Sequence, residues 1–121
     1  MSGAAPAVPP LHGPDGPPIA RDVRMIALKV QGAQGESGLR LESGRDVHLR
    51  WPTWKGTLRV LAMHDGQGTY EVSVWLPGKD APVKRAVLKK KGAAVTLVPG
   101  KDVPEGYFGT AERPVKFILD E

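Results

Sequence analysis

The chain of 121 residues has no cysteine. Disulfide stapling and thiolate metal sites are therefore excluded, and stability has to come from packing and strand pairing. Histidine is scarce: His12, His48 and His64 are the only imidazoles, and none has a second ligand at the spacing of a familiar zinc pattern. No metal and no other cofactor is expected. Aromatic residues make up 6% of the chain, which leaves few rings for a surface that stacks bases. No stretch approaches the ~18 apolar residues needed to cross a bilayer. Met1 to Pro18 has neither a basic n-region nor an apolar h-region, so a secretory signal is not expected. The chain reads as soluble, in a cytoplasm or a virion, with no membrane partner.

Catalytic signatures are missing as well. Gly35-Glu36-Ser37-Gly38-Leu39 imitates a nucleophile elbow, but Leu39 stands where that motif needs glycine, and no helix follows. Gly66-Gln67-Gly68 begins like a dinucleotide fingerprint, yet Glu71 occupies the third glycine position and a strand follows. Gly100-Lys101 lacks the upstream glycine of a P-loop. The acids are scattered through turns and strand faces rather than paired. The expectation is a protein with no catalytic residues and no small-molecule substrate.

What the chain has in quantity is proline and glycine, unevenly placed. Six of the twelve prolines fall in the first eighteen residues. Proline removes backbone donors and disfavours helix at the residue before it. With few large apolar groups to offset ordering entropy, residues 1–21 read as a flexible, extended Pro/Gly/Ala-rich arm of polyproline character. Pro6, Pro9, Pro10, Leu11, Pro14, Pro17, Pro18 and Ile19 are its candidate contacts with a partner.

Residues 22–121 read as a single β-rich domain, since domains of about 100 residues are common. Apolar and polar residues alternate with a period of two, the signature of half-buried strands. Ile26, Leu28 and Val30 share one face; Gln31 to Gly38 reads as a loop; Leu39 and Leu41 begin a second strand. Ser43-Gly44-Arg45 reads as a hairpin connection, and Val47, Leu49 and Trp51 as a third strand ended by Pro52. Leu58, Val60 and Ala62, then Asp65-Gly66-Gln67-Gly68, then Tyr70, Val72, Val74 and Leu76 make the clearest hairpin. Pro77-Gly78 reads as a type II turn and Pro99-Gly100 repeats it. Val83 to Leu88, Val95 with Leu97, and Val115, Phe117 and Leu119 complete the strands. The fold class expected is all-β: a small antiparallel barrel or sandwich of seven to eight short strands.

Two surface features suggest partners. The net charge is +4, and Lys84, Arg85, Lys89, Lys90 and Lys91 put five cations into eight residues. Trp51-Pro52-Thr53-Trp54-Lys55, preceded by Arg50, sets two indoles beside two cations; the plainer reading makes Trp51 a core residue and Trp54 a cap on the end of the barrel. A compact β-domain with a long proline-rich arm is a design used in protein shells, as in capsid decoration, cement and connector proteins of phages. The first expectation is therefore a non-enzymatic assembly protein that docks on a protein lattice or forms homo-oligomers through domain and arm. The alternative is a small nucleic-acid-binding barrel that uses Trp51 and Trp54 as stacking platforms, with Arg50, Trp54, Lys55, Lys84, Arg85, Lys89, Lys90 and Lys91 as its contacts. Carbohydrate binding through Trp51 and Trp54 is a third.

Overall fold

A computed structural model describes residues 24–121; the arm contacts Pro6 to Ile19 lie outside the described residues. Period-two alternation produces eight strands: β1 (Met25–Gly32), β2 (Gly35–Glu42), β3 (Asp46–Leu49), β4 (Leu58–His64), β5 (Tyr70–Trp75), β6 (Lys84–Leu88), β7 (Ala94–Leu97) and β8 (Val115–Leu119). They form two four-stranded antiparallel sheets, ordered β2-β1-β8-β7 and β3-β4-β5-β6. The all-β expectation holds, in its sandwich form, and no helix occurs among the described residues.

Register puts every apolar face inward. In one sheet Ile26 faces Leu41 across β1 and β2, while Val30, Phe117 and Val95 lie in one row. In the other, Val47, Val60 and Val74 form a row, and Ala62, Val72 and Ala86 the next. Trp51, Phe108 and Phe117 are the largest of the fully enclosed side chains in the resulting core. Each such side chain contributes about 1.5–3 kcal/mol of burial, which is how a domain without disulfides holds together.

Two sequence readings need correction. Gln31–Gly38 is not a loop: β1 and β2 stay paired up to Gly32 and Gly35, and only Ala33 and Gln34 turn between them. The alternation is invisible there because glycine and serine hold the inward positions 35 and 37. Ser43-Gly44-Arg45 is not a hairpin turn either; it carries the chain from one sheet to the other. Its bonds reach both: Ser43 N–H donates to the Arg24 carbonyl (2.9 Å), Gly44 N–H to the Ala62 carbonyl (2.8 Å), and the Ser43 hydroxyl accepts from His64 N–H (2.9 Å). Gly44, at φ 83°, supplies the left-handed conformation this corner needs.

The remaining turns follow their chemistry. Lys79 N–H bonds the Leu76 carbonyl with Gly78 at φ 73°, and Lys101 N–H bonds the Val98 carbonyl with Gly100 at φ 83°, as type II turns require. Asp65 accepts from the Gln67 and Thr69 N–H groups in the β4–β5 turn. Those two bonds hold its carboxyl below the ordinary aspartate range.

Candidate docking surface

The basic and aromatic residues singled out in the sequence do not gather on one face. Trp51 and Trp54 are both interior, at 0% and 5% exposure. The Trp54 ring meets Trp51 edge-on at 5.9 Å and Phe108 edge-on at 5.9 Å. An indole held inside a core cannot stack on a base or a sugar, so Trp54 is corrected from surface contact to core residue. Lys84 lies on the inward side of β6, opposite Val74. Its ammonium reaches Asp102 at 3.1 Å and so bridges the β6 edge to the β7–β8 loop. Burial alone would raise the Asp102 carboxyl, but the Val98 N–H and the Lys84 ammonium outweigh it and hold the group below its usual range.

Arg85 points outward, in the row with Ser73 and Leu61. Lys89, Lys90 and Lys91 are exposed in the crossing from β6 to β7, where Lys91 lies 3.8 Å from Asp120. Arg50 and Lys55 are exposed at the opposite end of the sandwich. The two groups are separated by the length of β5, six residues or about 20 Å. Among the described residues, no group of three or more histidine or acidic side chains is placed to hold a metal, and no helix is long and apolar enough to cross a membrane.

Three loops meet at the end that carries Lys55. Lys55 and Gly56 come from the β3–β4 loop, Leu76, Pro77 and Lys79 from the β5–β6 connection, and Pro104, Tyr107 and Phe108 from the β7–β8 loop. They line an open groove of about 330 Å³. Lys55 N–H donates to the Tyr107 carbonyl at 3.0 Å, which ties two of the loops together. The floor is Phe108, 1% exposed, beside Gly56. A methyl at position 56 would stand 3.3 Å from Pro77 Cγ and 3.6 Å from Phe108 Cζ, so glycine keeps the floor open. Tyr107 is 46% exposed and forms an aromatic wall, with the Lys55 ammonium 5.5 Å from its ring centre.

Sequence reasoning located Lys55 but missed Tyr107, Pro104 and Pro77, which are far apart in the chain. The signal available was the Tyr107-Phe108 pair in a polar loop, where one ring can anchor inside and the other stay out.

A second depression, of about 280 Å³, continues from Leu76, Pro77 and Lys79 onto the outer face of β3-β4-β5, lined also by His48, Thr57, Arg59 and Trp75. Trp75 is only 7% exposed although it points away from the core. The Arg59 guanidinium covers it at 4.2 Å from the ring centre, and its indole N–H donates to the Asp80 carbonyl at 3.2 Å. Arg59 is itself held by both carboxylate oxygens of Asp46, at 3.0 and 3.1 Å. Its charge is thereby answered within the protein.

At the other end, Arg24, Tyr70 and Glu121 close the sandwich. Glu121 Oε1 accepts from Arg24 (2.6 Å) and from the Tyr70 hydroxyl (2.7 Å), and Oε2 accepts from Ala27 N–H (2.8 Å). The His64 ring lies 4.6 Å from that of Tyr70. This cluster joins the two sheets, and an open depression of about 310 Å³ beside it is lined by Met63, His64, Asp65, Thr69, Glu71 and Val87.

Comparison with known proteins gave no match among family models, curated proteins or solved structures.

Proposed function

We propose that the chain is a non-enzymatic structural protein that assembles with copies of itself or on a protein lattice, through its β-domain and its N-terminal arm. Capsid decoration, cement and connector proteins are the type of protein meant. The observation that carries the reading is the β2 edge. β2 is eight residues long and pairs only with β1. Its inward residues Ser37 and Leu39 are half-buried, where the matching residues of β1, Leu28 and Val30, are fully enclosed. An unpaired edge of that length is a template for another strand. The other edges are shorter: β3 and β7 have four residues each and β6 has five.

Sedimentation velocity over a range of concentrations tests this, on the full chain and on a form lacking residues 1–21. The full chain should self-associate. The shortened form should keep its β circular-dichroism spectrum and associate more weakly, through the β2 edge alone. Equal association of the two forms would remove the arm from the function, and a monomer in both would remove self-assembly.

A further inference from the structure

We infer that the groove walled by Tyr107 receives the proline-rich arm of a second copy of this chain, bound as a polyproline II segment. The inference rests on the assembly reading and names the surface that the arm uses.

The arm is poorly suited to the β2 edge. A strand added to an edge must supply backbone donors, and proline has none. Within residues 6–11, Pro6, Pro9 and Pro10 remove three of the six. What such a segment does offer is proline rings and free carbonyls, because polyproline II has no internal hydrogen bonds. The complementary surface is an apolar groove with an aromatic wall and hydrogen-bond donors at its rim. The loop end of the sandwich has that composition. Tyr107, Pro104, Pro77 and Leu76 supply the apolar walls, and the Lys55 and Lys79 ammoniums are donors. Residues 1–14 carry no charged side chain, so burying them beside those lysines desolvates no side-chain charge on the arm.

Reach permits the arm to enter a neighbour's groove. β1 begins beside Arg24, at the end of the sandwich opposite the groove. The distance between the ends is about 20 Å, the length of β5 at about 3.3 Å per residue. At about 3.1 Å per residue, a polyproline II segment places Pro10 about 43 Å and Pro6 about 56 Å from Arg24. An arm of that length is long enough to reach a second molecule, and exchange with a neighbour is the arrangement that the assembly reading requires. Arms exchanged between copies bury two grooves in a closed dimer, or one per copy in a chain of molecules.

The test is isotope-mixed photocrosslinking of the full chain. Leu11 is replaced by benzoyl-phenylalanine, light and ¹⁵N-labelled protein are mixed, and the products of irradiation are mapped by mass spectrometry. The expected result is crosslinks that join the arm of one isotope to segments 77–79 or 104–108 of the other. A Tyr107→Ala variant should lose these crosslinks and associate at least about tenfold more weakly, with an unchanged circular-dichroism spectrum. Tyr107→Phe, which keeps the ring, should retain both. Crosslinks confined to single isotopes overturn the second copy as occupant. Crosslinks on the β2 edge, or association indifferent to Tyr107→Ala, overturn the groove and leave the assembly reading standing. A chain that stays monomeric without crosslinks between copies overturns the inference together with self-assembly.

Discussion

Replacing Gly109 with alanine should strain the loop that carries Tyr107 and destabilise the domain, and Gly44→Ala provides the control. Both glycines adopt a left-handed backbone, at φ 80° and 83°. An L side chain in that region costs about 1–2 kcal/mol. Alanine recovers about 0.4–1 kcal/mol of this by restricting the unfolded chain. At Gly44 nothing lies within 4 Å of the added methyl, so the net loss should be about 1 kcal/mol. At Gly109 the methyl would meet the Arg113 carbonyl oxygen at 2.8 Å and Val115 N at 3.1 Å. Both are backbone atoms and cannot rotate away. Relief requires moving the 109–114 turn, which is held by the Gly109–Pro114 bridge and by the Thr110–Arg113 bonds in both directions. Overpacking of this kind adds about 1–3 kcal/mol, which brings Gly109→Ala to about 3 kcal/mol. A domain of this size loses about 4–8 °C in Tm per kcal/mol. Thermal unfolding followed by tryptophan fluorescence should then show a drop of about 5 °C for Gly44→Ala and about 15 °C for Gly109→Ala. Equal shifts in the two variants would refute the steric part of the reasoning. Because Phe108 packs against Trp54, the Gly109 variant should also change the fluorescence of the folded state.

Asp102→Asn should cost about 1–2 kcal/mol at neutral pH, since the carboxylate holds both Lys84 and Val98 N–H with its side chain only 11% exposed. Asp102 has a depressed folded pKa, so its stabilisation is present above the reference value of 3.8 and is lost as pH falls through the folded value; urea melts at neutral and acid pH should show a smaller acid loss in the variant. Tyr70→Phe removes the hydroxyl bond to Glu121 and should cost about 1 kcal/mol, the lower end for a charged acceptor because the cluster is part-exposed. That bond to the carboxylate raises the Tyr70 phenol above 10.0, so its stabilisation is complete below pH 10.0 and is lost as pH rises through the folded value. Alkaline denaturation should accordingly set in later relative to neutral pH in the phenylalanine variant, and an identical alkaline profile would contradict the assignment.

Strand faces were legible in the sequence wherever large apolar residues marked every second position. Ile26-Leu28-Val30, Leu58-Val60-Ala62 and Tyr70-Val72-Val74 all point inward, as their spacing indicates. The first half of β2 was hidden because Gly35 and Ser37 occupy its inward positions and bury little. Sheet membership was hidden for a different reason. Ser43-Gly44-Arg45 has the composition of any tight turn, and only its bonds to Arg24 and Ala62 show that it joins two sheets. The Pro-Gly turns at 77–78 and 99–100 were both readable as turns, but not the divergence that follows. Asp102 is drawn in to Lys84, while Asp80 offers its carbonyl to Trp75. The groove was the least legible part, because its walls come from three loops that no local pattern connects.

Loop length makes the two ends of the sandwich unequal. Connections 43–45, 65–69 and 89–93 lie at the Tyr70 end. They are short, and the Arg24–Tyr70–Glu121 bonds close over them. Connections 33–34, 50–57, 76–83 and 98–114 lie at the other end, and all but the two-residue β1–β2 turn are longer. Long loops usually pay for their length in order, but these are anchored by the edge-on series Trp51, Trp54 and Phe108. The tryptophans that looked like a binding platform in the sequence therefore serve the surface indirectly. Their rings fix Phe108 from within, and Phe108 in turn is the floor against which the exposed Tyr107 stands. A rigid aromatic wall on a loop end is what a weak, extended ligand needs, since little ordering is left to offset when it binds. The basic residues fit the same division. Lys55 and Lys79 rim the groove, whereas Lys89, Lys90 and Lys91 sit at the closed end, about the length of β5 away. A phosphate backbone tracking all of the cations would have to pass from one end of the domain to the other, while a short proline-rich segment needs only one end.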